Sequence, residues 1–269
     1  MNPTDASKTA PTPIVTTPAA AAHPRPAAGA PVALRRQFVS FYGLKVAPAW
    51  RGLDDATKAK GRAGFIAACE AFRAEGGILV PYSCVGVRGD VDLMLWRIHY
   101  ELEPLQRHAA ALMKSPMGPY LATPYALLGM TKRSTYVDHI HPDHEDERLT
   151  VVPGTQKYIF VYPFVKTREW YGLDGETRGK MMREHIHIGT TYPSVKLNTT
   201  YSFGLDDQEF VVAFETDRPA DFLDLVQRLR TTESSEYTKR DTPTFTCIAA
   251  SLERTLNALD GAALTPAPV

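Results

Sequence analysis

The chain has 269 residues, 44% of them hydrophobic and 10% aromatic, and 30 basic side chains balance 30 acidic ones. That composition fits a globular chain with one large core or two small ones, and the even charge excludes bulk attraction to nucleic acid or an anionic membrane, so any anion site must be local. The three cysteines, Cys69, Cys84 and Cys247, include no CxxC pair, which argues against a disulfide framework or a zinc site and for a reducing cytoplasm.

Residues 1–34 are half alanine or proline and show neither helical nor strand periodicity, so a disordered tail is expected there. Pro11, Pro13 and Pro18 interrupt the only stretch resembling a signal peptide, and no later apolar run is long enough to span a membrane. The folded body is expected from Arg35. In chain order the patterns predict a strand at Gln37–Val46, a helix at Asp54–Ala74, strands at Ile78–Val87 and Leu93–His99, a helix at Glu101–Lys114 and a strand at Tyr125–Met130. The second half repeats that βαββαβ order: strand Tyr158–Phe164, helix Asp174–His187, strands Val195–Phe203 and Glu209–Glu215, helix Ala220–Arg230, strand Thr244–Ile248.

A local identity supports the repeat. Trp50-Arg-Gly-Leu-Asp54 matches Trp170-Tyr-Gly-Leu-Asp174 before the corresponding helix, at an offset of 120 residues. The expected fold is α+β, with two ferredoxin-like repeats, residues 35–156 with a linker and 157–269, forming an antiparallel β-barrel flanked by helices. Two such sheets packed face to face are expected to enclose a cavity, with the Pro-interrupted stretch from Thr131 to Gln156 near its mouth.

The segment from Tyr158 to Ile188 sets a tyrosine, a lysine and a helical histidine in one strand-loop-helix unit, residue types that suffice to hold an anionic metalloporphyrin. Asp174 is the expected N-cap, and Met181, Met182 and His185 fall on one helical face. His185 and His187 cannot both face one metal, because two residues along a helix turn it by about 200°; the methionines favour His185. A lone helical histidine is nevertheless more often a packed core residue than a ligand. Tyr162 on a strand is usually core, and Lys166 just beyond it is usually solvated. His139, His141 and His144, with Asp138, Asp143, Glu145 and Asp146, resemble a metal site in composition, but their loop lacks helical or hairpin spacing, and a solvated loop is the plainer reading. One of these histidines reaching over a bound porphyrin is the weaker alternative. Phe203-Gly-Leu-Asp-Asp-Gln-Glu-Phe210 is expected to be a hairpin turn with a structural role. No GxGxxG, GxxxxGK[ST] or GxSxG motif occurs, so nucleotide and hydrolase chemistries drop away.

Val161-Tyr-Pro-Phe-Val-Lys166, Glu169-Trp-Tyr171, Met182-Arg-Glu-His185, the Asn198-to-Asp207 run and Arg240-Asp-Thr-Pro243 together resemble the chlorite-dismutase-like haem proteins, and most of all their coproheme decarboxylase branch. The resemblance covers about residues 35–260 and is strongest over 158–248. It implies a homopentamer in most members, with one haem-type ligand in the second repeat. It makes His185 the iron ligand, Tyr162 the redox-active tyrosine, and Lys166 a propionate contact. Arg148 and Tyr136 become further propionate-contact candidates, and Met182 and Leu197 line the cofactor. The substrate implied is iron coproporphyrin III, oxidised by hydrogen peroxide to haem b with loss of carbon dioxide from two propionates. Transient contact with a ferrochelatase is implied too. Chlorite-degrading members carry a distal arginine seven positions before the glycine of Gly-Leu-Asp-Asp; here that position is Leu197, which cannot steer an oxychlorine anion. A chlorite dismutase, a haem peroxidase and a non-catalytic haem carrier or sensor remain the alternatives.

Overall fold

Among the described residues, nine strands and seven α-helices are laid down in the order β1 Phe38–Val46, α1 Asp55–Ala74, β2 Ile78–Ser83, β3 Leu93–His99, α2 Glu103–Lys114, β4 Leu121–Met130, β5 Tyr158–Lys166, α3 Arg168–Gly172, α4 Gly175–Thr190, β6 Val195–Tyr201, β7 Phe210–Thr216, α5 Pro219–Leu229, α6 Glu233–Glu236, β8 Thr238–Arg240, β9 Phe245–Ala249 and α7 Leu252–Ala258. The computed structural model describes residues 35–134, 136 and 149–264. The expected tail and the loop histidines therefore lie outside the described residues, as does Arg148.

Each half contributes four antiparallel strands, β4-β1-β3-β2 and β6-β7-β5-β9. The halves join where Tyr82 and Ser83 of β2 pair with Ala249 and Ile248 of β9, and where Met130 of β4 pairs with Tyr201 of β6. Those two seams close the sheet into a barrel, with β8 added at the end of β5. Because side chains alternate across a strand, odd-numbered residues of β1 and β5 point inward and even-numbered ones toward the helices. Val39, Phe41, Ile159 and Val161 thus share the interior with Tyr82, Trp96, Phe245 and Cys247.

That packing differs from the enclosed cavity the two-sheet picture predicts. Phe41 stacks on Trp96 at 5.2 Å between centroids, and the interior is a filled hydrophobic core. Large aromatic side chains from both halves meet at the middle of the barrel, and close packing leaves them no gap to line.

The second seam is short, and the Gly204-Leu-Asp-Asp turn supports it. Gly204 takes a positive φ of 72°, open to glycine without strain. The Asp206 carboxylate then accepts the Leu128 amide at 2.8 Å and the Gln208 side-chain amide at 2.7 Å, while the Ser202 hydroxyl donates to the Leu128 carbonyl at 2.7 Å. The motif is structural: it ties the β6–β7 turn to β4. The C-terminal α7 crosses back to the first half, where Leu252 and Leu256 join the core formed by α1 and α2.

Candidate functional site

The repeat offset of 120 residues pairs Asp54 with Asp174, and both cap the helix they precede. Asp54 accepts the Thr57 amide at 2.9 Å and Asp174 the Thr177 amide at 2.8 Å. Eleven residues on, the same offset pairs Phe65 with His185; on the strands it pairs Tyr42 with Tyr162 and Leu44 with Phe164. The two repeats place these pairs alike and surround them differently.

In the first repeat the face between helix and sheet is full. Phe65 is 0% exposed and packs with Leu44, Leu93, Leu95 and Phe72. Tyr42 is buried, with the Arg97 guanidinium 4.0 Å over its ring and its hydroxyl accepting from Thr123 at 2.9 Å. In the second repeat the corresponding face is partly bare. Of the α4 side chains only Met181 is buried, whereas Met182, His185 and Ile188 are half-buried. On the sheet below, Tyr162, Phe164, Phe210, Val212 and Thr199 are half-buried and Leu197 is 52% exposed. Register aligns Thr199, Val212 and Tyr162 in one row across β6, β7 and β5, with Leu197 and Phe214 in the next. Phe160, Phe214 and Phe222 close one end as an aromatic cluster, Phe160 stacking on Phe222 at 4.1 Å.

His185 turns toward α6 from this helix, while His187 is exposed. Its Nδ1 lies 3.2 Å from the Ser234 hydroxyl, and burial, followed by the nearby Lys166 charge, pushes its pKa down to about 4. The ring is therefore neutral at pH 7, the form that ligates a metal. Lys166 is buried, donates to the Ser234 carbonyl at 2.5 Å and sits 4.4 Å from the Trp170 ring centre. Burial pulls its pKa down to about 8, with Glu209 opposing. An ammonium has three hydrogens, so this contact leaves it capacity toward a carboxylate.

Tyr162 stacks on Phe214 at 5.9 Å. Burial chiefly, and then Asp241, raise its pKa, while Arg230 lowers it; the phenol stays protonated at neutral pH. Asp241 is ion-paired with Arg230. Tyr136 lies close enough to Tyr171 for the two phenols to interact, and Tyr171 donates to Glu209 at 2.6 Å.

Several groups at this site were not singled out from sequence. Ser234 and Thr232 sit in a short polar stretch, Thr231 to Glu236, whose composition reads as an ordinary turn. Arg178, two turns before His185 on α4, keeps its Nε buried with no partner among the described residues.

The donor set fits an anionic iron porphyrin. A neutral imidazole stands over a largely aromatic and aliphatic surface on which five strand residues are half-buried and Leu197 is exposed, with Lys166 and Arg178 as nearby cations. The shallow depression on the first repeat lined by Glu75, His99, Glu101, Glu103 and Arg107 carries three carboxylates, which would repel the same ligand.

Comparisons with known proteins point the same way. A family model described as chlorite dismutase matches residues 58–250. The chain is 30% identical over 221 residues to the coproheme decarboxylase of Mycolicibacterium smegmatis, covering 81% of this chain and 91% of that protein. It is 30% identical over 165 residues to the coproheme decarboxylase of Staphylococcus carnosus, covering 57% of this chain and 66% of that one. Among solved structures, the chlorite dismutase from Candidatus Nitrospira defluvii in complex with imidazole superposes with a TM-score of 0.76 at 26% identity, covering 83% of this chain and 95% of that chain.

Proposed function

The chain belongs to the chlorite dismutase family, and from that premise we propose that it is a coproheme decarboxylase: it binds iron coproporphyrin III and, with hydrogen peroxide, converts two propionates to vinyl groups to give haem b. The observation that carries this reading is the bare face of the second repeat, where His185 and Tyr162 stand at positions that Phe65 and Tyr42 fill in the first. The similarity to two proteins named coproheme decarboxylase supports it.

His185 would hold the iron, and the bound porphyrin iron would supply the oxidising power when peroxide arrives. The protein's own part is to position a propionate and pass an electron. Tyr162 begins as a neutral phenol held by burial and loses an electron and a proton together. The tyrosyl oxygen then takes a hydrogen atom from the propionate carbon next to the ring; a second electron leaves, the carbon–carboxylate bond breaks, and carbon dioxide departs. For each propionate, one peroxide and one proton are consumed, and one vinyl group, one carbon dioxide and two waters result. Lys166 would hold and charge-balance the reacting carboxylate and Arg148 and Tyr136 the others, while Met182 and Leu197 line the porphyrin.

The same reading extends to a cytoplasmic homopentamer that meets a ferrochelatase, the enzyme class that inserts iron into porphyrins. No helix among the described residues is long and apolar enough to cross a membrane. Leu197 gives a chlorite anion no cation to dock on, so chlorite dismutation is disfavoured. Iron coproporphyrin III added to the purified protein should give a one-to-one complex with a shifted Soret band, and chlorite should release no oxygen from it. An unchanged Soret band, or oxygen release with chlorite, would overturn the reading.

A further inference from the structure

His185 belongs to a chain of hydroxyls with only one consistent direction. The Thr232 hydroxyl lies 2.8 Å from the Leu229 carbonyl, which can only accept, so Thr232 donates there. Its hydrogen is then spent, and the 3.1 Å contact between Thr232 and Ser234 requires the Ser234 hydroxyl to donate. Ser234 in turn has no hydrogen left for His185. The 3.2 Å contact with Nδ1 must therefore carry the histidine's own hydrogen. Ser234 and Thr232 are 1% and 2% exposed, so water does not offer an easy alternative partner. Ser234 is also held from its backbone side, where its carbonyl accepts from Lys166 at 2.5 Å.

We infer that Ser234 is the positioning residue that fixes His185 as the Nδ1-protonated tautomer, leaving the Nε2 lone pair free for iron, and that it does so with a neutral hydroxyl in place of a carboxylate. The consequence for iron rests on the ligation reading of His185 given above; the tautomer does not. A hydroxyl partner orients the ring without drawing its proton away, so the axial ligand is a neutral imidazole rather than one with imidazolate character. Lys166 then has a second task, since its bond to the Ser234 carbonyl keeps the hydroxyl aimed at the ring.

Nitrogen-15 NMR of the protein without porphyrin reads the tautomer directly. His185 should appear protonated at Nδ1, and a predominantly Nε2-protonated ring would overturn the inference. Ser234→Ala should mix the tautomers and weaken iron coproporphyrin III binding about 10- to 100-fold, while leaving affinity for metal-free coproporphyrin III unchanged. Equal losses for both porphyrins, or a loss for neither, would count against it. Thr232→Val keeps Ser234 but severs the relay, so it offers a second route should the alanine variant not fold; an undiminished Nδ1 preference there would overturn the assignment. Failed peroxide turnover would not alter the NMR result, so the two readings fail separately.

Discussion

Tyr42 and Tyr162 stand at the same place in the two repeats, and their neighbours decide what each can do. Arg97 covers the ring of Tyr42 and Thr123 engages its hydroxyl, whereas Tyr162 looks onto the bare face with Asp241 bearing on its phenol. Tyr162→Phe should keep porphyrin binding within about twofold and reduce decarboxylation to background, measured by Soret titration and product analysis; retained turnover would remove Tyr162 from its role. His185→Ala should weaken iron-porphyrin binding by more than the ~10–100-fold typical of losing a supporting partner. Helical rotation, with the shared face of Met181 and Met182, separated His185 from the exposed His187, because a 3.6-residue period is readable without a structure. Ser234 was not readable that way. It reaches His185 across 49 residues of sequence, from a segment whose serines and threonines look like any polar turn.

At the scale of elements, α1 and α4 share a cap and a length of approach but differ in what lies beneath. Phe65→Ala should cost about 3–5 kcal/mol in chemical denaturation, because it opens a cavity in a filled face. Met182→Ala, over the bare face, should cost only about 1 kcal/mol. The β6–β7 turn makes a separate prediction. Asp206→Ala leaves the Leu128 amide without its acceptor and should destabilise the protein by about 1–3 kcal/mol with no direct effect on the porphyrin face. The main strands and helices were legible because apolar runs and caps mark them. The short α3, α6 and β8 and the returning α7 were not: each is too brief to show a period, and α7 is held by contacts with α1 and β2 rather than by its neighbours in sequence.

For the molecule as a whole, the repeat predicts two equivalent halves, and the closed barrel makes them one unit with one bare face. Which half carries the candidate site was legible in the Tyr158–Ile188 segment, whereas the filled barrel interior was hidden because sequence does not tell which faces of two sheets meet. The first half carries an acid-sensitive group of its own. His108 is buried against Phe72, and burial together with the Arg97 charge pushes its pKa down to about 3. The unfolded chain binds that proton near pH 6.5 and the folded one does not, so stability falls as pH drops from 6.5, by about 2–3 kcal/mol at pH 4.5. Denaturation midpoints at pH 7 and 4.5 should show this fall together with the one that His185, also depressed by burial, contributes, and His108→Leu should remove only its own share.

The central claim is that the second repeat performs oxidative chemistry on the porphyrin it holds. Mass spectrometry of the porphyrin after peroxide is titrated into the protein loaded with iron coproporphyrin III tests it most directly. Two successive losses, each of one carbon dioxide and two hydrogens and each consuming one peroxide, should convert the ligand to haem b. An intact tetrapropionate porphyrin, or one bleached without those losses, would contradict it.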